Sequence, residues 1–205
     1  MIVSVEDEDL WWYLQPFVHP SDNMPSSKAW KSLHAANYYG YYRQIAEQVQ
    51  PTCILEIGVR YGYSALAMLL GCGLNCRVDY TGIDHEFFSG SNAYAESKIR
   101  TRTRGAVKVL KQTSQDLQQV PGTYHLVHLD ASHRPDGLLI DLNLIGPAVV
   151  ADGVIVIDDM KRHDTYATAL RWAAARAFEV QTLDSMQGTL LIRKRKVRGK
   201  GRWPT

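Results

Sequence analysis

Five acidic residues and one histidine stand where short apolar segments of this chain run out. They are Glu56 in Ile54-Leu55-Glu56-Ile57, Asp84 after Tyr80-Thr81-Gly82-Ile83, Asp130 after Leu126-Val127-His128-Leu129, and the pair Asp158-Asp159 after Val154-Ile155-Val156-Ile157, with His133 three residues beyond Asp130. Carboxylates gathered on one edge of a sheet repel each other, so a shared ligand is expected to compensate them. Asp130, Asp158 and Asp159 offer the oxygen donors that a hard divalent cation such as magnesium takes. Asp84 lies 26 residues beyond Gly58, near the offset at which an acid ending a second strand accepts from both hydroxyls of a ribose. His133 is placed to take a proton near neutral pH. His128 falls inside its strand and is expected to be structural, whereas His85 follows the ribose acid and is expected to border the same site.

The stretch Glu56-Ile57-Gly58-Val59-Arg60-Tyr61-Gly62-Tyr63-Ser64 passes from an apolar strand, through two glycines four residues apart, into the start of a helix. Glycines without Cβ atoms let a nucleoside approach the backbone, and a helix N-terminus faces its polar groups. A dinucleotide fingerprint of the form Gly-x-Gly-x-x-Gly would need glycine where Arg60 stands, which argues against NAD.

The elements that must position these residues alternate after residue 50. Strands are expected at Thr52–Ile57, Arg77–Ile83, Ala106–Leu110, Tyr124–Leu129, Val154–Ile157, Phe178–Leu183 and Thr189–Arg193. Helices are expected at Gly62–Leu70, Ala93–Thr101, Pro135–Val149 and Thr165–Ala177. Strands joined by helical crossovers predict an α/β fold: a doubly wound, mostly parallel seven-stranded Rossmann-like sheet with helices on both faces. The last two strands are linked too tightly for a crossover, so they form a C-terminal hairpin with one strand antiparallel.

A chain of 205 residues with 45% hydrophobic and 21% charged residues suits one soluble domain. No apolar run reaches the ~18 residues that span a bilayer, and the acidic start from Met1 to Leu10 is no signal peptide. Cys53, Cys72 and Cys76 are too few for a disulfide framework and are read as reduced thiols of a cytoplasmic protein. Residues 1–50 are rich in aromatics, among them Trp11, Trp12, Trp30, Tyr38 and Tyr42, with a helix expected from Ser27 to Val49; this segment is expected to act as a lid or a homodimer contact. Residues 51–193 form the cofactor-binding domain and 194–205 a basic tail. Without the seven basic residues from Arg193 onward, the formal net charge of +2 becomes −5. No RNA-binding motif accompanies the tail, so nucleic acid is not the expected acceptor.

Together these residues resemble the class I S-adenosylmethionine-dependent methyltransferases, most closely their small metal-dependent branch containing catechol and caffeoyl-CoA O-methyltransferases. Leu55-Glu56-Ile57-Gly58 with Tyr61-Gly62-Tyr63-Ser64 matches that branch's first motif, and Thr113-Ser114-Gln115-Asp116-Leu117 its adenine-side loop. The resemblance implies that Glu56, Gly58, Gly62 and Ser64 hold the methionine end of S-adenosyl-L-methionine. It likewise implies that Asp84 binds its ribose, Ser114 and Gln115 border its adenine, and Asp130, Asp158 and Asp159 bind Mg2+. His133 stands where catechol enzymes carry a catalytic lysine, and with Asp130 it is the expected catalytic pair. The expected activity is magnesium-assisted O-methylation of a small hydroxylated acceptor such as a catechol, a sugar diol or a hydroxy acid. The alternatives are an RNA methyltransferase using the basic tail and a non-catalytic nucleotide-binding module.

Overall fold

The computed structural model describes residues 39–195 except 87, 131, 162, 186 and 187. Its helices are α1 (Gly40–Val49), α2 (Tyr63–Gly71), α3 (Ser91–Arg100), α4 (Pro135–Ile145) and α5 (His163–Ala174). Its strands are β1 (Cys53–Ile57), β2 (Asp79–Asp84), β3 (Val107–Lys111), β4 (Tyr124–Leu129), β5 (Val149–Ile157), β6 (Glu179–Leu183) and β7 (Thr189–Arg193). They form one sheet in the order β3-β2-β1-β4-β5-β7-β6. The first five run parallel, while β7 is antiparallel to both β5 and β6. The doubly wound, seven-stranded expectation and its C-terminal hairpin both stand.

Strand alternation divides the core between the two faces. Ile54, Leu126, Val154 and Val156 pack with Tyr42, Ile45, Leu66, Met68 and Ile99 of α1, α2 and α3. Leu55, Ile57, Val127, Leu129, Ile155 and Ile157 pack with Leu138, Leu142, Ile145 and Trp172 of α4 and α5. Burying each such side chain stabilises the fold by about 1.5–3 kcal/mol. Helices α1 and α2 approach closely because Gly71 has no Cβ, which would lie 2.1 Å from the Arg43 carbonyl oxygen.

Two boundaries differ from the sequence reading by more than three residues. The helix expected to run from Pro135 to Val149 stops at Ile145, and residues 146–148 form a 3-10 turn. Pro147 has no N–H to continue the ladder. Strand β5 accordingly begins at Val149 rather than Val154, with Asp152 in a left-handed conformation at φ 64°. Of the expected helix Ser27–Val49, the described part begins at Gly40. The aromatics Trp11, Trp12 and Trp30 and most of the expected lid lie outside the described residues, as does the chain beyond Arg195. Among the described residues, no helix is long and apolar enough to cross a membrane, and all three cysteines are unbridged.

Candidate active site

The parallel strands β1, β2, β4 and β5 end on one edge, and a cavity of about 650 Å³ opens there. This size lies within the range of small-molecule sites. Gly58, Asp84, Ser114, Gln115, Asp130 and His133, all singled out in the sequence, line it. Arg60, Phe88, Ser91 and Ser132 also line it, and their residue types carried no signal by themselves.

The glycine turn forms the floor. Gly58 sits at φ 88° and its N–H donates to the Ile83 carbonyl at 2.9 Å, continuing the sheet to its very edge. Only glycine adopts that φ cheaply. Arg60 follows in a left-handed conformation at φ 49°. Asp84 holds the turn in place, its Oδ2 accepting from the N–H groups of Val59 at 2.8 Å and Arg60 at 2.9 Å. Its Oδ1 accepts from the Glu86 N–H at 2.5 Å, and the carboxylate lines the cavity with a lone pair of Oδ1 still uncommitted to these backbone donors. Phe88 stacks on Tyr61 at 5.6 Å, and the Arg60 guanidinium lies 5.3 Å from the Phe88 ring. The far wall is a 3-10 turn, Ser114–Asp116, closed by a capping box between Thr113 and Asp116.

Three residues expected to touch the cofactor do not line the cavity. Glu56 is fully buried one residue short of the strand end, where its carboxylate accepts from the Ser64 hydroxyl and the Tyr80 hydroxyl and lies 2.8 Å from His128 Nδ1. Ser64 is thereby turned toward Glu56. Gly62 packs against α3, where a Cβ would lie 3.2 Å from both Ala95 Cβ and Ile99 Cδ1. The Tyr80–Glu56–His128 cluster was not legible from residue types, although the alternation of Tyr80 and Gly82 on β2 is its trace.

The acids divide in a way the sequence did not foretell. Asp130, His133 and Asp159 each offer a donor atom, all within 4.8 Å of one another. Asp158 is not in that set. It continues the inward alternation of Val154 and Val156, whereas Asp159 at φ 57° turns the chain toward the edge. Asp158 is 3% exposed, and neither of its oxygens meets hydrogen-bond geometry with another group among the described residues. Burial pushes its carboxyl up to about 8, with the Asp159 backbone acting against the shift and the Asp159 charge adding to it. Burial likewise pushes Asp130 up to about 6, with His128 opposing and Asp159 reinforcing. The raised Asp158 carboxyl meets its burial by holding a proton, whereas Asp130, His133 and Asp159 offer carboxylate oxygens and an imidazole nitrogen, donors that a divalent cation takes.

A glycine-floored cavity at the carboxyl edge of a parallel sheet, with an acid ending β2 and a second acid ending β4, defines a class I S-adenosylmethionine-dependent methyltransferase fold. A family profile described as "Methyltransferase domain" matches residues 55–160, just over half of the chain, and the chain belongs to that family. It is 23% identical over 159 residues to a rhamnosyl O-methyltransferase of Mycobacterium leprae (strain TN), which covers 76% of this chain and 68% of that protein. The SAH-bound methyltransferase PaMTH1 of Podospora anserina superposes with a TM-score of 0.58 at 18% identity, covering 92% of this chain and 87% of its own. An O-methyltransferase of Bacillus cereus in complex with SAH gives 0.56 at 15% identity, covering 95% and 94%. These neighbours share the fold.

Proposed function

We propose that this methyltransferase transfers a methyl group to one hydroxyl of a vicinal diol on a sugar-type acceptor, assisted by a divalent cation. The observation that carries the proposal is that Asp130 and His133 line the cavity that Gly58 and Asp84 floor and that Asp159 offers a donor atom within 4.8 Å of theirs. The sugar choice is supported by the rhamnosyl O-methyltransferase relative.

Gly58, Asp84, Ser114 and Gln115 would hold S-adenosylmethionine, which when bound supplies an electrophilic methyl group, and Asp130 and Asp159 would hold the cation, which supplies Lewis acidity. Two oxygens on adjacent acceptor carbons present the chelating pair that such a cation favours. His133 Nδ1 faces Asp159 Oδ2 at 3.0 Å, which leaves Nε2 to accept the acceptor's hydroxyl proton. The Asp159 carboxylate then stabilises the imidazolium that forms. Asp130 shares the cavity wall and fixes the acceptor's position beside the turn, so alignment rather than covalent chemistry is the protein's main contribution.

The test is mass spectrometry on purified protein with S-adenosylmethionine and paired acceptors: a methyl rhamnoside, catechol, and a deoxy sugar lacking the vicinal pair. Methylation of the rhamnoside and not of the deoxy sugar is expected. Methylation of catechol alone would overturn the sugar assignment, and equal turnover in EDTA the assistance by metal.

A further inference from the structure

The fully buried Glu56 has no place in the chemistry above, yet it joins four elements. It pairs in register with Gly82 of β2 on one side and His128 of β4 on the other. Its Oε1 receives the Ser64 hydroxyl from the first turn of α2 and faces His128 Nδ1 at 2.8 Å, while its Oε2 receives the Tyr80 hydroxyl. Tyr80 passes beside the bare Gly82 to reach it: a Cβ there would lie 3.2 Å from Tyr80 Cε1 and 3.3 Å from its hydroxyl oxygen, crowding the ring. The Tyr42 ring closes the cluster from α1, 4.6 Å from His128. Burial and the neighbouring Glu56 charge raise the Tyr80 phenol well above its usual range, so it remains a donor.

The Glu56–Ser64 bond has a geometric consequence. The residues between its ends are Ile57 to Tyr63, which is the glycine turn itself. One end of the bond belongs to β1 and the other to α2, so it ties together the two ends of that turn from beneath. Asp84 holds the same turn from the side through the Val59 and Arg60 N–H groups.

We infer that Glu56 is a positioning residue that holds the glycine turn in its binding shape through Ser64, Tyr80 and His128, and that it does not contact the amino-acid end of the cofactor. The inference rests on the methyltransferase reading and departs from the role that the resemblance implies for this acid. Glu56 is 0% exposed and does not line the cavity, and its two oxygens face three side-chain partners.

Two ligands separate contact from positioning. S-adenosylhomocysteine carries the amino and carboxylate groups, and 5′-methylthioadenosine has the adenosine and sulfur without them. Calorimetric titration of the full chain is run on wild type, Glu56→Gln and Tyr80→Phe, well below each variant's Tm so that a loss of stability alone does not move the affinity. Positioning predicts that Glu56→Gln weakens both ligands by the same factor, about tenfold or more. It also predicts that Tyr80→Phe, whose hydroxyl is spent on Glu56, weakens both in the same ratio. Loss of S-adenosylhomocysteine affinity alone in Glu56→Gln would show direct contact and overturn the inference. So would unchanged binding of both ligands in Tyr80→Phe, a readout that stands even if Glu56→Gln does not fold. Wild type binding neither ligand would overturn the cofactor class, and the inference with it.

Discussion

His133 Nδ1 lies 3.0 Å from Asp159 Oδ2 at the mouth of the cavity, with the imidazole 37% and the carboxylate 23% exposed. The pairing engages Nδ1, and in the proposed reaction the second ring nitrogen takes the acceptor's proton. His133→Ala is expected to lower kcat by about 10²–10⁴-fold, the usual scale of a general base. Affinity for S-adenosylhomocysteine should stay within about twofold, because the interaction removed serves the reacting hydroxyl and not the cofactor. Manganese binding followed by electron paramagnetic resonance should also persist. Its disappearance would make His133 a ligand and leave the reaction without the proposed base.

Asp130 and Asp159 present carboxylate oxygens to the proposed cation, and the His133 imidazole stands beside them as the base. Magnesium prefers oxygen, whereas manganese tolerates an imidazole nearby. Dialysis against EDTA is expected to abolish turnover, and manganese to restore it at a lower concentration than magnesium. Asp159→Asn should raise the metal concentration needed for half-maximal rate at least tenfold, since it removes a charge shared by cation and base. The measurement is initial rate against free metal concentration.

The buried carboxyls make stability depend on pH in an unusual direction. Burial raises Asp158 from 3.8 to about 8 and Asp130 from 3.8 to about 6. The native state therefore holds protons that the unfolded chain has already released, and stability falls as pH rises through that window. Their contribution is fully present below about pH 4 and lost as pH climbs toward 8. Metal-free protein should show a Tm that falls between pH 5 and pH 8. Asp158→Asn, which cannot ionise, should flatten the slope, and a Tm independent of pH in the parent protein would contradict the burial of this group.

Gly82 matters for what it lacks. A Cβ at this position would lie 2.7 Å from Val59 Cγ2, besides crowding the Tyr80 ring. Gly82→Ala is expected to destabilise the fold by about 1–3 kcal/mol, the usual cost of overpacking. It should also weaken S-adenosylhomocysteine binding, because Val59 belongs to the turn that Asp84 holds. Thermal unfolding and calorimetry on the same preparation check both effects.

Much of this was legible in the sequence, and the failures have physical causes. Short apolar runs between helical patterns marked the buried strands β1, β4 and β7 most directly, because hydrophobic patterning reports burial, whereas β6 is exposed at all but Leu183 and was marked by its place before the turn to β7. The edge residues Gly58, Asp84, Asp130 and His133 were legible for the same reason: parallel strands deliver their C-terminal residues to one edge. Glu56 lies one residue short of the strand's end, and that single step points its side chain into the core instead of the cavity, which residue type does not announce. Asp158 and Asp159 are neighbours with opposite fates, decided by a left-handed φ at Asp159 that residue type does not announce. Arg60 and Phe88 line the cavity through tertiary packing alone.

The basic C-terminus offers a last test, because the structure takes part of it into the sheet. Arg193 ends β7, in register with Val154 and Glu179. Lys194 donates from its backbone to Gly153 at 3.0 Å and from Nζ to the Val149 carbonyl at 2.6 Å, and Arg195 pairs with Glu179 at 2.6 Å. Removing residues from 193 onward would take the last position of β7 with the Lys194 and Arg195 bonds, and so confuse loss of stability with loss of function. Truncation after Arg195 removes only Lys196, Arg198, Lys200 and Arg202 of the seven basic residues. If the acceptor is a small diol, that truncation should leave turnover within about twofold, since added positive charge acts mainly on association of charged partners. An RNA acceptor predicts instead that the full chain binds single strands with a salt dependence that falls on truncation, by about 0.7 in log–log slope for each phosphate that the tail had neutralised. Filter binding of both chains at two salt concentrations, run beside the rhamnoside assay, decides between them: retained diol turnover with no tail-dependent RNA binding supports the small acceptor, and the reverse pattern refutes it.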